Sequence, residues 1–282
     1  EHSIGVEHVE KESWQQAIIS FDKAISLNKE YAPAYVDRGF ANYKLNNIEQ
    51  AFNDYSEAIK IEPTNFKALS SRAEIHAFKG DFQLALRDLD LAISEKNDDP
   101  SFYIMKGKIL GSLGQSDDAI KQFELALDLD SESVDAYYNI GITYLGLYEY
   151  SNSIQYFEKA IKFDANNAAA YANKGVAFAA NEDYISATSE FSRAIEIDPN
   201  QINYYQNRAR AFELSGKFDF AVKDYESILN LNSEMPEVFF LRANAYVQLG
   251  QIDLAIIDYG EALLLDPLFE DAYLNRAEFY FQ

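Results

Sequence analysis

The feature that most constrains this chain is a small residue that recurs every 34 positions. Glycine or alanine holds this interval without insertion or deletion at Gly5, Gly39, Ala73, Gly107, Gly141, Gly175, Ala209, Ala243 and Ala277. A fixed period of this length predicts one supersecondary unit stacked on itself. Stacked units usually act through a long shared surface, so we expect function on an extended face rather than in a catalytic pocket.

Other columns of the sequence keep the same period relative to this small position. An alanine or serine stands twelve residues after it: Ala17, Ala51, Ala85, Ala119, Ser153, Ala187, Ala221 and Ala255. An aromatic residue or leucine stands four residues later: Phe21, Tyr55, Leu89, Phe123, Phe157, Phe191, Tyr225 and Tyr259. Spacings of three and four place such residues on one face of a helix, so the pattern predicts two closely packed helices per unit.

The prolines mark the ends of the predicted helices. Pro33, Pro100 and Pro236 stand where a first helix opens, and a missing N–H has little effect there. The other three follow a second helix and end it: Pro63, Pro199 and Pro267.

These columns resemble the tetratricopeptide repeat, a helix–turn–helix unit of the same length. The resemblance implies an all-α, right-handed superhelical solenoid whose first helices line a concave groove. It covers the whole chain, which we interpret as a single solenoid, 1–282. The repeats run over 1–31 (partial), 32–65, 66–99, 100–133, 134–167, 168–201, 202–235 and 236–269, and a final first helix covers 270–282.

Both termini depart from the capped ends of a complete solenoid. Residue 1 falls within a first-helix pattern, and the last helix carries Leu274 and Phe279 where a polar cap is expected. We therefore expect the chain to be a piece of a longer protein.

Composition narrows the class of partner. The net charge is −22, with 46 acidic and 24 basic residues, so the surface repels nucleic acid and anionic lipid. We expect a neutral or basic protein or peptide ligand instead. Cysteine is absent, which excludes disulfides, and no apolar run is long enough to predict a membrane span. Asparagine is abundant but forms no glycosylation sequon, which favours a cytoplasmic location.

A basic column in the first helices has an acidic counterpart. The cations one residue before the small position are Arg38, Arg72, Lys106, Lys174, Arg208, Arg242 and Arg276. Sixteen residues after the first six of them stand Asp54, Asp88, Gln122, Glu190, Asp224 and Asp258. The unit with Ile140 at the first position has Tyr156 at the second. This covariation predicts side-chain contact and structural ion pairs rather than a ladder for an acidic ligand.

The family register places groove residues three and two before the small position, and one, four and five after it. A clamp for chaperone C-termini, known in the family, needs a lysine three before, and none occurs here. Two before stand Asn139, Asn173 and Asn207 in consecutive units, then Leu241 and Asn275. This resembles the asparagine ladder in the repeat arm of O-linked N-acetylglucosamine transferases, which implies contact with a peptide backbone. Asparagine is also common at this position generally, so a local hydrogen bond is the alternative.

Neighbouring positions complete the predicted peptide-binding set. Tyr138, Ile142 and Val176 would give apolar contact in the groove. Lys108, Arg210 and Asn244 would give polar anchors. Phe240, next to Leu241, is expected to be exposed, and exposed apolar residues often mark contact sites.

Catalytic motifs are missing from the sequence. The histidines His2, His8 and His76 lack the spacing of a zinc site, and no glycine-rich phosphate loop or nucleophile elbow occurs. We therefore expect a noncatalytic interaction scaffold without a cofactor. Two alternatives stay open: a substrate-recruiting arm of a larger enzyme, such as a glycosyltransferase, and a scaffold that self-associates through its ends.

Overall fold

A computed structural model describes residues 1–279, and every regular element in that range is an α-helix. The predicted final helix over 270–282 begins as expected, but positions 280–282 lie outside the described residues. The helices are α1 (His2–Glu10), α2 (Trp14–Leu27), α3 (Ala32–Lys44), α4 (Ile48–Ile61), α5 (Phe66–Phe78), α6 (Phe82–Glu95), α7 (Pro100–Ser112), α8 (Ser116–Leu129), α9 (Val134–Gly146), α10 (Tyr150–Phe163), α11 (Ala168–Ala180), α12 (Tyr184–Ile197), α13 (Ile202–Leu214), α14 (Phe218–Leu231), α15 (Pro236–Gln248), α16 (Ile252–Leu265) and α17 (Glu270–Glu278).

Local sequence explains where these helices begin. The predicted role of proline is confirmed, because Pro33, Pro100 and Pro236 occupy the first two positions of their helices. At other starts a side-chain oxygen caps the helix: Asn65 accepts from the Ala68 N–H at 3.0 Å. Asn167, Asp183 and Asp99 cap α11, α12 and α7 in the same way.

Each repeat packs its two helices through the small column. In α7 an added Cβ at Gly107 would lie 2.5 Å from the Phe123 ring of α8, so only glycine permits this approach with the ring as placed. Gly5, Gly39, Gly141 and Gly175 face the equivalent ring in the same way. The ring column is buried throughout, as the sequence predicts.

The chain divides into two compact units. The first is Glu1–Ala136 and the second begins at Tyr137. Within the first unit, consecutive helices from α1 to α7 pack in sequence order, and α7 packs on α8. Within the second unit, the same holds for α10 to α17. The interpretation of 1–282 as one solenoid stays a prediction.

The joint between the two helices of each repeat needs one left-handed residue. It falls seven positions after the small residue in every repeat, at Glu12, Asn46, Gly80, Gly114, Tyr148, Glu182, Gly216 and Gly250. Glycine adopts this conformation without strain, whereas a side chain with a Cβ is disfavoured there by about 1–2 kcal/mol.

Replacing Glu182 with glycine is therefore expected to stabilise the second unit by about 0.5–1 kcal/mol, because lost strain outweighs the greater entropy of glycine in the unfolded chain. Glu182 has a φ of 62° and an exposed side chain. Guanidinium unfolding followed by circular dichroism measures the change. The control is Gly216→Ala at the matching joint, which should destabilise by about 1 kcal/mol. Changes of the same sign in both variants would contradict this account.

Candidate functional site

The basic column is engaged by the protein's own carboxylates. Five of its cations bind the acid predicted from the sequence, with N–O distances of 2.5–3.1 Å, which confirms those ion pairs. The pairs are Arg38–Asp54, Arg72–Asp88, Lys174–Glu190, Arg208–Asp224 and Arg242–Asp258. Four of the five acids are buried, so these guanidinium and ammonium groups are not available to an acidic ligand.

The partner of Lys106 differs from the one expected from the sequence. Its ammonium lies 2.6 Å from Asp90 in the preceding repeat, and not against Gln122 of its own repeat. Other cations reach back in the same register: Arg38 to Asp22 at 2.6 Å, and Arg208 to the Ser192 hydroxyl at 2.8 Å. At Arg38, Lys174 and Arg208 the cation therefore links its first helix to the second helices on both sides. Sequence covariation inside one repeat showed only half of this arrangement.

The predicted peptide-binding residues lie on first helices. In the second unit the positions three and two before the small residue, and one, four and five after it, form what we call the amide face, from Tyr138 to Gln248 on α9, α11, α13 and α15. It holds nine predicted residues: Tyr138, Asn139, Ile142, Asn173, Val176, Asn207, Arg210, Phe240 and Asn244. Lys108 is an exposed residue of α7 in the first unit, so the two compact units divide the predicted set.

The asparagines of the amide face differ in their hydrogen bonds. Asn173 donates to the Tyr138 hydroxyl at 2.9 Å and to the Ala169 carbonyl at 3.0 Å, which uses both amide hydrogens. Burial raises the pKa of Tyr138, so this hydroxyl stays neutral. Asn139 is half-buried, and its backbone carbonyl accepts from the Thr143 hydroxyl.

The residue three before the small position in one repeat can engage the residue two before that position in the next. Tyr138 can reach Asn173, and in the first unit His2 reaches Asp37 in the same register, at 2.8 Å. Ala172 holds the corresponding position before Asn207 and cannot reach it. Asn207 is half-buried and forms no side-chain hydrogen bond within residues 1–279. Its amide donors and acceptor are therefore unpaired within the described residues.

Two predicted polar anchors meet in one cavity between α13 and α15. Arg210 and Asn244 line a space of about 410 Å³ together with Leu214, Leu241 and Gln248. Arg210 lies 3.1 Å from Glu213, and its side chain is 67% exposed, so it remains accessible.

Asn244 is less available than its position suggests. Its side-chain oxygen accepts from the Tyr259 hydroxyl at 2.6 Å and from Asn275 at 3.1 Å. The same bond uses a hydrogen of the last asparagine in the column, Asn275. Asn244 and Asn275 therefore support the wall of the cavity.

The apolar residues of the face are unequally exposed. Ile142 is 37% exposed, whereas Val176 packs beside the buried Phe191. Phe240 was expected to be exposed, but it is half-buried, with ring centroids 4.9 Å from Phe269 and 5.8 Å from Tyr259. Residues later in the same repeat, 236–269, thus already cover much of this ring.

Charge is sparse on the amide face. Arg210 and Glu213 are the two charged residues at its positions, and they pair with each other. A face that is nearly neutral in a chain of net charge −22 suits the uncharged groups of a peptide backbone.

Sequence reasoning missed an exposed aromatic residue in the first unit. Phe78 is 82% exposed and lines a cavity of about 320 Å³ with Tyr43, Lys44, Ile48 and Ile75. Phe78 stands five residues after the small position, which the same register assigns to the groove. Inspection of that column for aromatic residues would have found it.

Two features are absent from the described residues. Within residues 1–279, no cluster of three or more His, Asp or Glu side chains could hold a metal ion. Over the same range, no helix combines the length and the apolar character that crossing a membrane requires.

Family comparisons match the repeats directly. A model described as "Tetratricopeptide repeat" matches residues 32–65, 134–167 and 168–201, and one described as "TPR repeat" matches 107–147 and 243–282. Together these matches cover more than half of the chain.

Curated relatives share parts of the chain. A TPR repeat-containing protein of Rhizobium etli is 28% identical over 37% of this chain and 53% of its own length. RNA polymerase II-associated protein 3 of Homo sapiens is 38% identical over 18% of this chain and 8% of its own. The chain thus spans about half of the first relative and under a tenth of the second.

Solved structures share the fold over most of the chain. The C-terminal part of a TPR repeat-containing protein from Cytophaga hutchinsonii is 24% identical, with a TM-score of 0.73 over 84% of this chain and 98% of that one. YrrB, described as a TPR protein with an unusual peptide-binding site, is 22% identical, with a TM-score of 0.55 over 66% of this chain and 96% of that one. With its 34-residue period, its paired helices and these matches, the chain belongs to the tetratricopeptide-repeat family, whose members generally mediate protein–protein interactions.

Proposed function

We propose that this protein is a noncatalytic scaffold that binds an extended, neutral or basic peptide segment of a partner protein on the amide face of its second unit. The observation that carries the proposal is Asn207, whose amide has no hydrogen-bond partner in residues 1–279 and stands beside the small Ala172. A side-chain amide can donate to a backbone carbonyl and accept from a backbone N–H, whatever the peptide sequence.

The surroundings of Asn207 support an extended ligand. Ala179 is a small, half-buried residue of the neighbouring helix α11, and the Asn173 oxygen is an additional acceptor. Arg210 stands one turn from Asn207 on α13 and opens into the cavity with Leu241. The face therefore offers polar groups to a backbone and an apolar cavity to one side chain, which is a usual division of roles in peptide recognition.

Replacing Asn207 with alanine is expected to weaken peptide binding about five- to tenfold, the effect of one or two hydrogen bonds. The ligands would be peptides selected from a random display library and measured by fluorescence anisotropy. Asn203→Ala is the matched control, because Asn203 is an exposed asparagine of the same helix outside the amide face. Equal affinity of the wild type and the Asn207 variant would contradict the proposal.

A further variant tests which of the two units binds the peptide. Phe78→Ser removes the exposed ring of the first unit, which contributes little to folding because it is 82% exposed. Selected peptides should bind this variant as they bind the wild type. A loss of binding with Phe78→Ser, and none with Asn207→Ala, would move the site to the first unit.

A further inference from the structure

The solvent-exposed side of α16 and the turn after it carry four apolar residues. Ile257, Leu264 and Leu268 are 57%, 75% and 85% exposed, and Leu254 is 43% exposed. A surface helix normally presents polar residues to water. Exposed apolar residues that lie together mark contact sites far more often than scattered ones do.

Comparison between repeats shows that this exposure belongs to the position, and that the apolar residues Leu264 and Leu268 belong to this repeat. The column of Ile257 also holds Ile19, and the column of Leu254 also holds Leu84 and Phe220. Three columns, 14, 21 and 25 residues after the small position, are exposed in all seven preceding repeats. The column of Leu264 holds Ser26, Lys60, Ser94, Asp128, Lys162, Glu196 and Asn230. The column of Leu268 holds Glu30, Thr64, Asp98, Glu132, Asn166, Asn200 and Glu234. Each of those repeats is followed by another repeat, so a following repeat leaves these columns in water.

The apolar residues have the spacing of a helix–helix seam. Leu254, Ile257, Glu261, Leu264 and Leu268 follow one another at intervals of three and four, and the last of them lies in the turn after α16. This is the interval at which one helix packs along another. We call these five residues the α16 stripe.

The charge around the stripe selects the kind of partner. Residues 251–275 contain six acidic side chains and no lysine or arginine. Of these acids, only Asp258 is neutralised by a buried ion pair, with Arg242. Glu261 lies in the middle of the stripe and is exposed. A second copy of the chain would place Glu261 near its equivalent, so charge complementarity favours a basic partner over self-association.

We propose that the α16 stripe is a second docking site, separate from the amide face, for a basic amphipathic helix of a partner protein. The partner's leucine-like side chains cover Ile257, Leu264 and Leu268, and a lysine or arginine faces Glu261.

Two synthetic amphipathic helices test the proposal. Both are 21 residues long with leucine at the a and d positions; the basic one carries lysine at e and g, and the acidic one carries glutamate. Each is labelled and held at nanomolar concentration, and binding to the 282-residue chain is followed by anisotropy. We expect the basic peptide to bind and the acidic peptide not to bind.

Variants of the protein locate the binding. Ile257→Gln/Leu264→Ser installs residue types found in the same columns of other repeats. It should lower the affinity for the basic peptide at least about tenfold. Leu84→Gln/Leu91→Ser is the control: it removes two leucines that are 45% and 44% exposed on α6, and should change affinity less than about twofold. Glu261→Gln should weaken binding about two- to fivefold at low salt and have little effect at high salt.

Several results would overturn the proposal. Equal binding of the basic peptide to the wild type and to Ile257→Gln/Leu264→Ser would show that the peptide is attracted to the acidic protein in general and not to the stripe. Binding of the acidic peptide with the same affinity as the basic peptide would contradict the proposed role of charge. Sedimentation showing a dimer that Ile257→Gln/Leu264→Ser dissociates would assign the stripe to a second copy. None of these results depends on Asn207, so the test of the α16 stripe is independent of the test of the amide face.

Discussion

Replacing Asp224 with alanine is expected to lower the free energy of unfolding by about 3–5 kcal/mol, because it leaves the partly buried Arg208 guanidinium without its counterion. Asp224 is 2% exposed, and both of its carboxylate oxygens accept from Arg208, at 2.5 and 2.9 Å. Guanidinium unfolding monitored by circular dichroism measures the loss. A loss below about 1 kcal/mol, typical of an exposed pair, would contradict this reading.

The chain itself supplies the control for this variant. In repeat 134–167, Ile140 and Tyr156 replace the cation and the anion, and Ile140 is fully buried. Arg208→Ile/Asp224→Tyr transfers that apolar pair and is expected to recover most of the loss, to within about 1–2 kcal/mol of the wild type. Burial raises the pKa of the Asp224 carboxyl more than hydrogen bonding to Arg208 lowers it, so the charged pair adds little net stability.

Two glycines of α7 are expected to respond in opposite directions to the same substitution. Gly107→Ala should destabilise the first unit by about 1–3 kcal/mol, because the new Cβ requires the buried Phe123 ring to move. The Cβ would lie 2.5 Å from that ring. Gly111→Ala, one turn later in the same helix, adds its Cβ where no atom lies within 4 Å. It should stabilise by about 0.5–1 kcal/mol through helix propensity.

Chemical denaturation of both alanine variants decides this prediction. Alanine stands at this position opposite Leu89 at Ala73, and opposite the Tyr225 and Tyr259 rings at Ala209 and Ala243, so the position accepts alanine where its partner is placed for it. Gly107→Ala/Phe123→Leu tests whether the Phe123 ring as placed is the cause. If Gly107→Ala were as stabilising as Gly111→Ala, the small column would reflect helix propensity alone and not close approach.

The ion pairs show which contacts can be predicted from covariation between the repeats of one sequence. Arg208 and Asp224 were predicted as partners because Ile140 and Tyr156 change together, and the ion pair is a contact inside one repeat. Lys106 broke this rule because Asp90, in the preceding repeat, lies 2.6 Å from its ammonium. Covariation at one spacing cannot show a contact made at another spacing.

The sequence did not reveal which asparagine side chains already use their hydrogen-bonding groups within the protein. Asn173 and Asn207 occupy the same column and are equivalent in the sequence pattern. In the structure, Asn173 uses both amide hydrogens internally, whereas Asn207 forms no side-chain hydrogen bond within residues 1–279. The difference arises from Tyr138 and Ala172, one repeat earlier, and only the packing of successive first helices brings those positions together.

The sequence by itself determined the repeat, its two helices, the buried ring and small columns, and the ion pairs inside a repeat. These features depend on contacts between residues at a constant separation, and a strict 34-residue period repeats each contact along the chain. The tertiary structure decided which polar groups are already paired and that α16 leaves Leu264 and Leu268 in water. Those properties depend on the neighbours that each side chain meets across repeats, where the sequence varies from one unit to the next.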